Sequence, residues 1–361
     1  MSKIVSIGTA VPAYCHSQMD ILQFMQGVYC LNEADNRKLR FLYAKSGIKQ
    51  RYSVVPDYSR AIQDWKFYPQ SENLEPFPNL EKRMALFVKQ APLLSVDAIR
   101  DCLANVPHDI AITHLITVSC TGLSAPGLDL QVLELLDLQK NIVRTSVNFM
   151  GCYAAIHALK MADAFCKSNR QAKVLIVCTE LCTLHFQREN TMDSIASSLL
   201  FGDGSAAALV TADDDVLPGI HLQNFYAEVV PKGKRDMAWE LSSTGFLMTL
   251  SGYVPDLIEE DFAAVVERSL AQSNLSQADI LDWCIHPGGK RILEAIQKSI
   301  GITHTQLEPS YQVLQQHGNM SSATILFVLK NIMQEKRSAR PIFGAAFGPG
   351  LTVETFTAST L

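Results

Sequence analysis

A cysteine, a histidine and an asparagine stand out as residues whose types and local settings could carry out acyl transfer. Cys152 follows Gly151 after the end of a predicted apolar strand and opens a predicted helix of small residues. Unpaired backbone N–H groups and the positive end of the helix dipole favour the thiolate at such a position, and the thiolate is the nucleophilic form. The alternative interpretation is a buried structural cysteine packed against the glycine.

The other two residues lie where a predicted strand or loop meets a helix. His286 ends a predicted strand and is followed by Pro287 and two glycines, a junction that can hold a side chain facing a cavity. Asn319 follows Gly318 and precedes a Met-Ser-Ser segment that enters an apolar helix. Its amide could point into a site, or it could be the N-cap of that helix. Together the three residues offer a nucleophile and two hydrogen-bond donors for an acyl oxygen.

A Cys, a His and an Asn in this order also occur in papain-like proteases, which are a second enzyme class to consider. Those enzymes place the cysteine near the mature N-terminus and usually carry disulfides and a secretion signal. Here the nine cysteines are dispersed, and the first residues lack the apolar core of a signal peptide. The sequence therefore predicts free thiols in a cytoplasmic protein and disfavours a protease.

The segments between these residues predict the elements that must position them. Apolar segments that hardly alternate with polar residues predict strands buried on both faces, at 3–7, 114–119, 173–179, 205–211, 283–285, 342–346 and 351–357. Helical patterns cover residues 81–105, 128–136, 153–168, 256–273, 290–300 and 321–334. This alternation indicates an α/β protein with largely parallel sheets. The acidic segment 213–219, which ends in Pro-Gly, is the expected boundary between two halves.

Charge and hydropathy exclude several classes of partner. Of 361 residues, 31 are Lys or Arg and 36 are Asp or Glu, which gives a formal net charge of −5 without a basic block. Nucleic acid is therefore not expected as a partner, because phosphate binding needs clustered cations. No stretch approaches the ~18 apolar residues of a spanning helix, so we expect no membrane insertion. Metal-ligand spacings are absent from the sequence, and we expect no metal site.

Four motifs surround or accompany the three candidate residues. They read Gly-Cys152-Tyr-Ala-Ala, His286-Pro-Gly-Gly, Gly-Asn319-Met-Ser-Ser-Ala and Ala346-Phe-Gly-Pro-Gly-Leu-Thr-Val-Glu. Together they resemble the signatures of type III polyketide synthases, the chalcone synthase family within the thiolase fold, over essentially the whole chain. Initiating β-ketoacyl-acyl-carrier-protein synthases share the three residues but set them in different flanking residues, and they are the alternative. A non-catalytic binding protein of this fold would be expected to lose Cys152 or His286.

The resemblance implies a fold, an assembly and a reaction. The fold would be a five-layered αβαβα arrangement of two similar thiolase-like halves, residues 1–215 with the nucleophilic Cys152 and residues 216–361 with His286 and Asn319. A homodimer would be the working form, and the substrates would be malonyl-CoA and an acyl-CoA starter, without a cofactor. Cys152 would accept the starter and be held as a thiolate by His286. His286 and Asn319 would stabilise the thioester oxyanion and the enolate formed by decarboxylation.

The resemblance also implies substrate-binding residues at seven positions. They are Phe201, Met248, Cys120, Glu180, Ser321, Lys38 and Lys45. Phe201 and Met248 would form a gate between the coenzyme A tunnel and the cavity, where plant members carry two Phe residues. Lys38 and Lys45 would contact coenzyme A phosphates, although Phe41 stands where plant enzymes have an Arg. Further apolar lining is expected from Leu123, Leu184, Phe246 and Leu247.

The residues at the gate predict the class of starter. Met is flexible and unbranched, so Met248 gives a gate without the stacked aromatic pair. Burial contributes ~0.8 kcal/mol per CH₂, which favours an aliphatic tail in such a channel. We therefore expect a fatty acyl-CoA starter and an alkylpyrone or alkylresorcinol product. The alternative is a small aromatic product of the phloroglucinol or tetrahydroxynaphthalene type, made from malonyl-CoA alone in a cavity narrowed by Ala346 and Trp239.

Overall fold

The computed structural model describes residues 2–29, 31–71, 73–107, 110–212, 214–215, 217–335 and 340–360. Its strands are β1 (Ser2–Ala10), β2 (Tyr14–Ser17), β3 (Gln50–Ser53), β4 (His114–Ser119), β5 (Val143–Asn148), β6 (Lys173–Leu181), β7 (Asp203–Ala212), β8 (Ile220–Val229), β9 (Met237–Ser242), β10 (Gly245–Leu250), β11 (Asp282–Ile285), β12 (Pro341–Gly348) and β13 (Thr352–Thr360). Its helices are α1 (Gln18–Tyr29), α2 (Glu33–Lys45), α3 (Leu80–Leu103), α4 (Leu128–Leu135), α5 (Ala154–Ser168), α6 (Met192–Leu200), α7 (Val254–Ala271), α8 (Lys290–Ile300), α9 (Glu308–His317) and α10 (Thr324–Gln334). None of these helices is long and apolar enough to cross a membrane.

Nine strands form one sheet in the order β11-β12-β13-β8-β1-β7-β6-β4-β5. Only the pairs β11–β12, β4–β5 and β4–β6 are parallel, and the other five neighbouring pairs are antiparallel. The prediction of largely parallel sheets is therefore wrong. Apolar strands buried on both faces occur in either orientation here, because helices cover both faces of the sheet and hydropathy alone does not report strand direction.

The sheet consists of two blocks of strands from different parts of the chain. The strands β5, β4, β6, β7 and β1 come from residues before 213, and β8, β13, β12 and β11 come from residues after 219. A short antiparallel pairing of β1 with β8, at Ile4 opposite Ile220, joins the blocks. The division into residues 1–215 and 216–361 stays a prediction, since residues 213 and 216 lie outside the described part of the chain.

Helices α5 and α10 position the candidate residues, since one begins just after Cys152 and the other just after the segment that carries Asn319. Both helices share one hydrophobic core with strands of the sheet. On α5 half of the buried residues are alanines, such as Ala154, Ala155 and Ala158, each without exposed surface. Small side chains let the helix lie close to the sheet, and close packing leaves little room for its first turn to move.

Candidate active site

Cys152 lies in a single 3₁₀ turn, Gly151–Tyr153, between β5 and α5. Gly151 has a φ of +79°, and a Cβ there would come 2.2 Å from Cδ of Pro349. A Cβ on Gly348 would in turn come 2.5 Å from the ring of Tyr153. Only glycine fits either place, so the Gly-Pro-Gly loop after β12 packs directly against the cysteine turn and fixes it.

His286 directly follows β11 and is almost fully buried, with 1% of its surface exposed. Its backbone N–H donates to the carbonyl of Ala345 at 2.9 Å, and its carbonyl accepts from the N–H of Gly288 at 3.0 Å. Within the described part of the chain, neither ring nitrogen has a hydrogen-bond partner. Burial lowers the pKa of His286 to about 3, so the ring is neutral and both nitrogens are available.

Asn319 is held on its main chain and its side chain. Its N–H donates to the carbonyl of Leu200 and its carbonyl accepts from the N–H of Gly202, both at 2.9 Å. The side-chain Oδ1 accepts from the N–H of Ser321 at 2.8 Å, and Nδ2 donates to the carbonyl of Gly288 at 3.3 Å. Asn319 is therefore not the N-cap of α10, which begins five residues later. The contact with Ser321 fixes which end of the amide is the donor.

The structure brings these three residues to one cavity of about 800 Å³. Sγ of Cys152 lies 3.7 Å from Oγ of Ser321 and 3.9 Å from Oδ1 of Asn319. Ser321 has a φ of +47°, a left-handed conformation that is rare for a residue other than glycine and that occurs at functional sites. The cavity thus joins a thiol, an imidazole, an amide and a hydroxyl from distant parts of the chain.

The surroundings of Cys152 affect the pKa of its thiol in opposite directions. Burial raises the pKa of the Cys152 thiol to about 12, and the nearby Glu180 carboxylate adds to the rise, while hydrogen bonds with Ser321 and Asn319 oppose it. Burial and the Glu180 carboxylate thus act against the thiolate that the sequence predicts here, and that thiolate stays a prediction. Helix α5 begins only at Ala154, and the loss of hydration outweighs the effect of its first turn. Burial therefore favours a neutral thiol and a neutral imidazole in the site at rest.

Cys120 lines the same cavity, but its sulfur is already engaged. Its Sγ accepts from the N–H of Gly151 at 3.0 Å, and its own N–H donates to Oε2 of Glu180 at 2.9 Å. Glu180 is fully buried, accepts from the hydroxyls of Thr121 and Ser322, and lies outside the cavity lining. The expected contact of Glu180 with substrate stays a prediction, and the structure gives Glu180 a different set of partners. Its carboxylate holds together the segments that carry Cys120 and Ser322.

The remaining predicted pocket residues divide into two groups. Phe201, Met248, Ser321 and Lys45 line the cavity, as do Phe246 and Leu247. Lys38 lies on the exposed face of α2, where its ammonium is 3.1 Å from the carboxylate of Asp35, outside the lining. Two expected apolar lining residues are also elsewhere, since Leu184 is buried in a core cluster and Leu123 lines a second, smaller pocket.

Most of the cavity lining was not predicted from the sequence, including two cations and a histidine. Lys290 and Arg291 line the cavity at the start of α8, directly after the Pro-Gly-Gly turn, and their place after that motif was an available signal. His185 stacks on Phe246 with ring centroids 4.2 Å apart and an interplanar angle of 7°. Its Nδ1 accepts from the N–H of Phe246, and its Nε2 lies 2.8 Å from the carbonyl of Thr121. Burial lowers the pKa of His185 to about 3.

Comparison with known proteins agrees with this arrangement of residues. The sequence matches "Chalcone and stilbene synthases, N-terminal domain" over residues 1–214 and "Chalcone and stilbene synthases, C-terminal domain" over residues 221–361. The "Alpha-pyrone synthesis polyketide synthase-like Pks18" of Mycobacterium tuberculosis is 31% identical, with 97% of this chain and 89% of that protein covered. The "Probable polyketide synthase 1" of Dictyostelium discoideum is 30% identical over 98% of this chain, which spans 11% of that protein.

Two solved structures share the fold. PKS-I from the brown alga Ectocarpus siliculosus superposes with a TM-score of 0.92 at 26% identity, covering 100% of this chain and 98% of that chain. The C-terminal type III domain of "Steely1", a type I/III hybrid from Dictyostelium, gives a TM-score of 0.92 at 29% identity, covering 99% of both chains. The α/β architecture is thus the thiolase-like one that the motifs implied. The chain belongs to the chalcone and stilbene synthase family and is a type III polyketide synthase, an acyl-transferring enzyme.

Proposed function

We propose that this enzyme loads an acyl-CoA starter on Cys152 and extends it by decarboxylative condensation with malonyl-CoA before the product cyclises. The observation that supports this most is that Sγ of Cys152 lies 3.9 Å from Oδ1 of Asn319, in a cavity that His286 also lines. A nucleophile and two donors at one place are what acyl transfer and enolate formation require.

Loading would begin from the neutral pair. One unpartnered ring nitrogen of His286 accepts the thiol proton as the sulfur of Cys152 attacks the thioester carbonyl. The carbonyl oxygen becomes an oxyanion, then the bond to coenzyme A breaks and the departing thiolate takes the proton back from the imidazolium. The products are an acyl-enzyme and free coenzyme A, and His286 returns to its neutral form.

Extension would depend on the amide of Asn319. Decarboxylation of malonyl-CoA leaves an enolate whose oxygen needs donors rather than a strong base. Nδ2 of Asn319 carries two hydrogens, of which one donates to the carbonyl of Gly288 at 3.3 Å and the other is available to the enolate. The enolate carbon then attacks the acyl group on Cys152, and the thiolate leaves. Holding both partners in one cavity supplies the orientation that this carbon–carbon bond requires.

For the starter, we propose a fatty acyl-CoA and an alkylpyrone or alkylresorcinol product. The cavity of about 800 Å³ is lined at the gate by Phe201 and by Met248 in place of a second aromatic ring. The likeness to a protein named for alpha-pyrone synthesis also supports a pyrone. A malonyl-only small aromatic product is the second candidate, favoured by Trp239, which lines the cavity and is held by a 2.6 Å hydrogen bond from Nε1 to the carbonyl of Cys120.

The experiment is mass spectrometry of products with kcat/KM measured for malonyl-CoA and saturated acyl-CoA starters from acetyl to palmitoyl. We expect kcat/KM to rise along the series, because each buried CH₂ adds ~0.8 kcal/mol. A flat or falling series with malonyl-only products would instead establish the second candidate. If no starter is extended and malonyl-CoA is not decarboxylated, the proposed reaction itself is wrong.

We further propose that coenzyme A thioesters enter past Lys45, Lys290 and Arg291, whose cations line the cavity and would meet the phosphates.

We also propose that the enzyme is a cytoplasmic homodimer and needs no cofactor. Exposed apolar side chains near the edge strand β5, namely Leu123, Leu135 and Val143, support a subunit interface there. Sedimentation velocity at micromolar concentration tests the assembly, and a single species of monomer mass would contradict it.

A further inference from the structure

The C-terminal end of α6 is held by side chains from distant parts of the chain. A helix leaves its last carbonyls without partners inside the helix, so other groups must donate to them. Here the donors are Tyr43 Oη to Ser198 O at 3.4 Å, Gln18 Nε2 to Leu199 O at 3.0 Å, Asn319 N to Leu200 O at 2.9 Å and Arg51 Nη1 to Phe201 O at 2.6 Å. One of these donors is the main chain of the proposed enolate-binding residue.

Arg51 touches both segments that determine where Asn319 lies. Phe201 and Asn319 form an isolated parallel bridge, which the N–H of Gly202 closes by donating to the carbonyl of Asn319 at 2.9 Å. On the other side, a Cβ on Gly318 would come 2.8 Å from Cδ of Arg51 and 2.7 Å from the carbonyl of Leu200. The arginine is therefore packed between the start of β7 and the loop that presents Asn319.

The hydrogen bonds of Arg51 are unusual for a buried cation. Only 3% of Arg51 is exposed, and its Nε donates to Oε1 of Gln18 at 3.0 Å. Within the described part of the chain, Nη2 has no hydrogen-bond partner. Removing a guanidinium from water costs free energy unless hydrogen bonds and favourable charge interactions compensate for the lost hydration. The positive charge beside the carbonyl end of α6 is favourable, and the planar fork reaches Gln18 and Phe201 together.

We infer that Arg51 is a positioning residue that sets the place of the Asn319 amide and of the gate residue Phe201, and through Asn319 sets the rate of malonyl decarboxylation. This inference rests on the proposed function for its kinetic consequence. The geometry on which it stands is independent of that function, since it consists of hydrogen bonds between Arg51, the end of α6 and the loop that carries Asn319.

Arg83 provides a matched control in the same chain. It is also fully buried, it also donates through Nε and Nη1 to carbonyls, and its Nη2 is likewise without a partner among the described residues. Its acceptors are the carbonyls of Pro78 and Leu184, and it lies outside the cavity lining. A change at Arg83 therefore reports the general cost of losing a buried arginine.

The first test compares Arg51→Met with Arg83→Met in two assays, malonyl-CoA decarboxylation and starter loading on Cys152 measured by intact mass. We expect Arg51→Met to slow decarboxylation by roughly tenfold while loading changes by less than about twofold, because the donor is displaced and the nucleophile is not. Arg83→Met should leave the ratio of the two rates unchanged. If Arg51→Met also leaves this ratio unchanged, the inference is wrong.

A double-mutant cycle and a spectrum complete the test. In the Asn319→Ala background, Arg51→Met should slow decarboxylation by less than about twofold further, whereas an independent structural role would multiply the two losses. In protein labelled with ¹⁵N-asparagine, the Asn319 side-chain resonance, assigned by its loss in Asn319→Ala, should move in Arg51→Met and stay in Arg83→Met.

If the Asn319 resonance does not move in Arg51→Met, the inference is wrong, whether or not the wild-type protein decarboxylates malonyl-CoA. A wild-type protein that shows no decarboxylation would count against the proposed function alone. Should Arg51→Met fail to fold, Gln18→Met removes the acceptor of Arg51 Nε and is judged by the same shift and the same ratio.

Discussion

The buried end of the cavity and its mouth are built in different ways. The buried end, comprising Cys152, His286, Asn319 and Ser321, is fixed by tight turns, glycines that admit no side chain, and main-chain hydrogen bonds. The mouth, comprising Phe41, Lys45, Met192 and Leu247, presents exposed side chains, with 62% of Phe41 and 68% of Met192 accessible. Geometry that must stay within tenths of an ångström is thus separated from surface that can change with the substrate.

This difference implies that substitutions at the two ends have different consequences. A change at the buried end should alter a chemical step and leave the choice of starter alone. A change at the gate should alter which starter is used and leave the chemical steps intact. A change at the exposed mouth should leave both as they are, because the side chains there have few fixed contacts.

The largest expected effect comes from Cys152→Ala at the buried end. Condensation should fall below detection, because the other thiols that line the cavity are not placed to form the acyl-enzyme. Cys120→Ala is the matched control, since that sulfur lines the same cavity but is committed to the N–H of Gly151. Product formation is the measurement, and recovery of even roughly a tenth of the wild-type rate in Cys152→Ala would reject the role, given that losing a nucleophile costs far more.

The next effect in size separates Asn319 from His286. Asn319→Ala should reduce malonyl-CoA decarboxylation by about 10²–10³, the usual loss for one oxyanion donor. Starter loading on Cys152 should survive, because the imidazole that takes the thiol proton remains. Intact-mass spectra after mixing with acyl-CoA check this, and a mutant with no loaded starter would contradict the division of labour between the two residues.

At the gate, Met248→Phe should change selectivity instead of chemistry. An aromatic partner adds ~0.5–1.5 kcal/mol for a flat aromatic starter, which is a factor of about 2–10 in the ratio of aromatic to aliphatic kcat/KM. Met192→Phe, at the exposed mouth, is the control and should leave that ratio as it is. An equal shift in both variants would show that the gate has no special part in selection.

The smallest expected effect is on stability and concerns the cavity wall. Because burial lowers the pKa of His185 to about 3, the unfolded chain takes up a proton at this residue below the ordinary value of 6.5 while the native chain does not. The contribution of His185 to the free energy of unfolding is therefore complete above pH 6.5 and falls progressively as the pH drops toward 3. Between these pH values, the free energy of unfolding, measured with urea, should change less steeply with pH in His185→Gln than in the wild-type protein. The difference in slope should correspond to about one proton per molecule. The same dependence of the free energy of unfolding on pH in both proteins would contradict a neutral buried His185.

Much of the architecture around the site could be predicted from the sequence. The strand at 114–119 and the helix at 290–300 have the predicted ends, because each is a strongly patterned segment bounded by turn residues. Only the end of the edge strand β5 before Gly151 could be predicted, since its side chains are mostly exposed and polar and lack the apolar pattern of a buried strand. Helix α6 was missed, although its N-cap Thr191, which accepts from the N–H of Ser194, was a readable signal.

That Cys152, His286 and Asn319 would share one cavity could be predicted, but the effect of burial on their pKa values could not. Motifs of glycine, proline and a polar residue located Cys152, His286 and Asn319, because such motifs mark places where the backbone must turn tightly. The raised pKa of Cys152 and the structural use of Glu180 could not be predicted, since both result from burial by residues far apart in the chain. Burial of this kind depends on the tertiary structure as a whole.

The central claim is that one thiol among those lining the cavity carries the acyl chain. Cys120, Cys152 and Cys182 all line it, so the most direct measurement is peptide mapping of the enzyme after a brief reaction with an acyl-CoA starter. We predict an acyl group on the peptide with Cys152 and unmodified Cys120 and Cys182. An acyl group on either of the other two cysteines, or on none, would contradict the account.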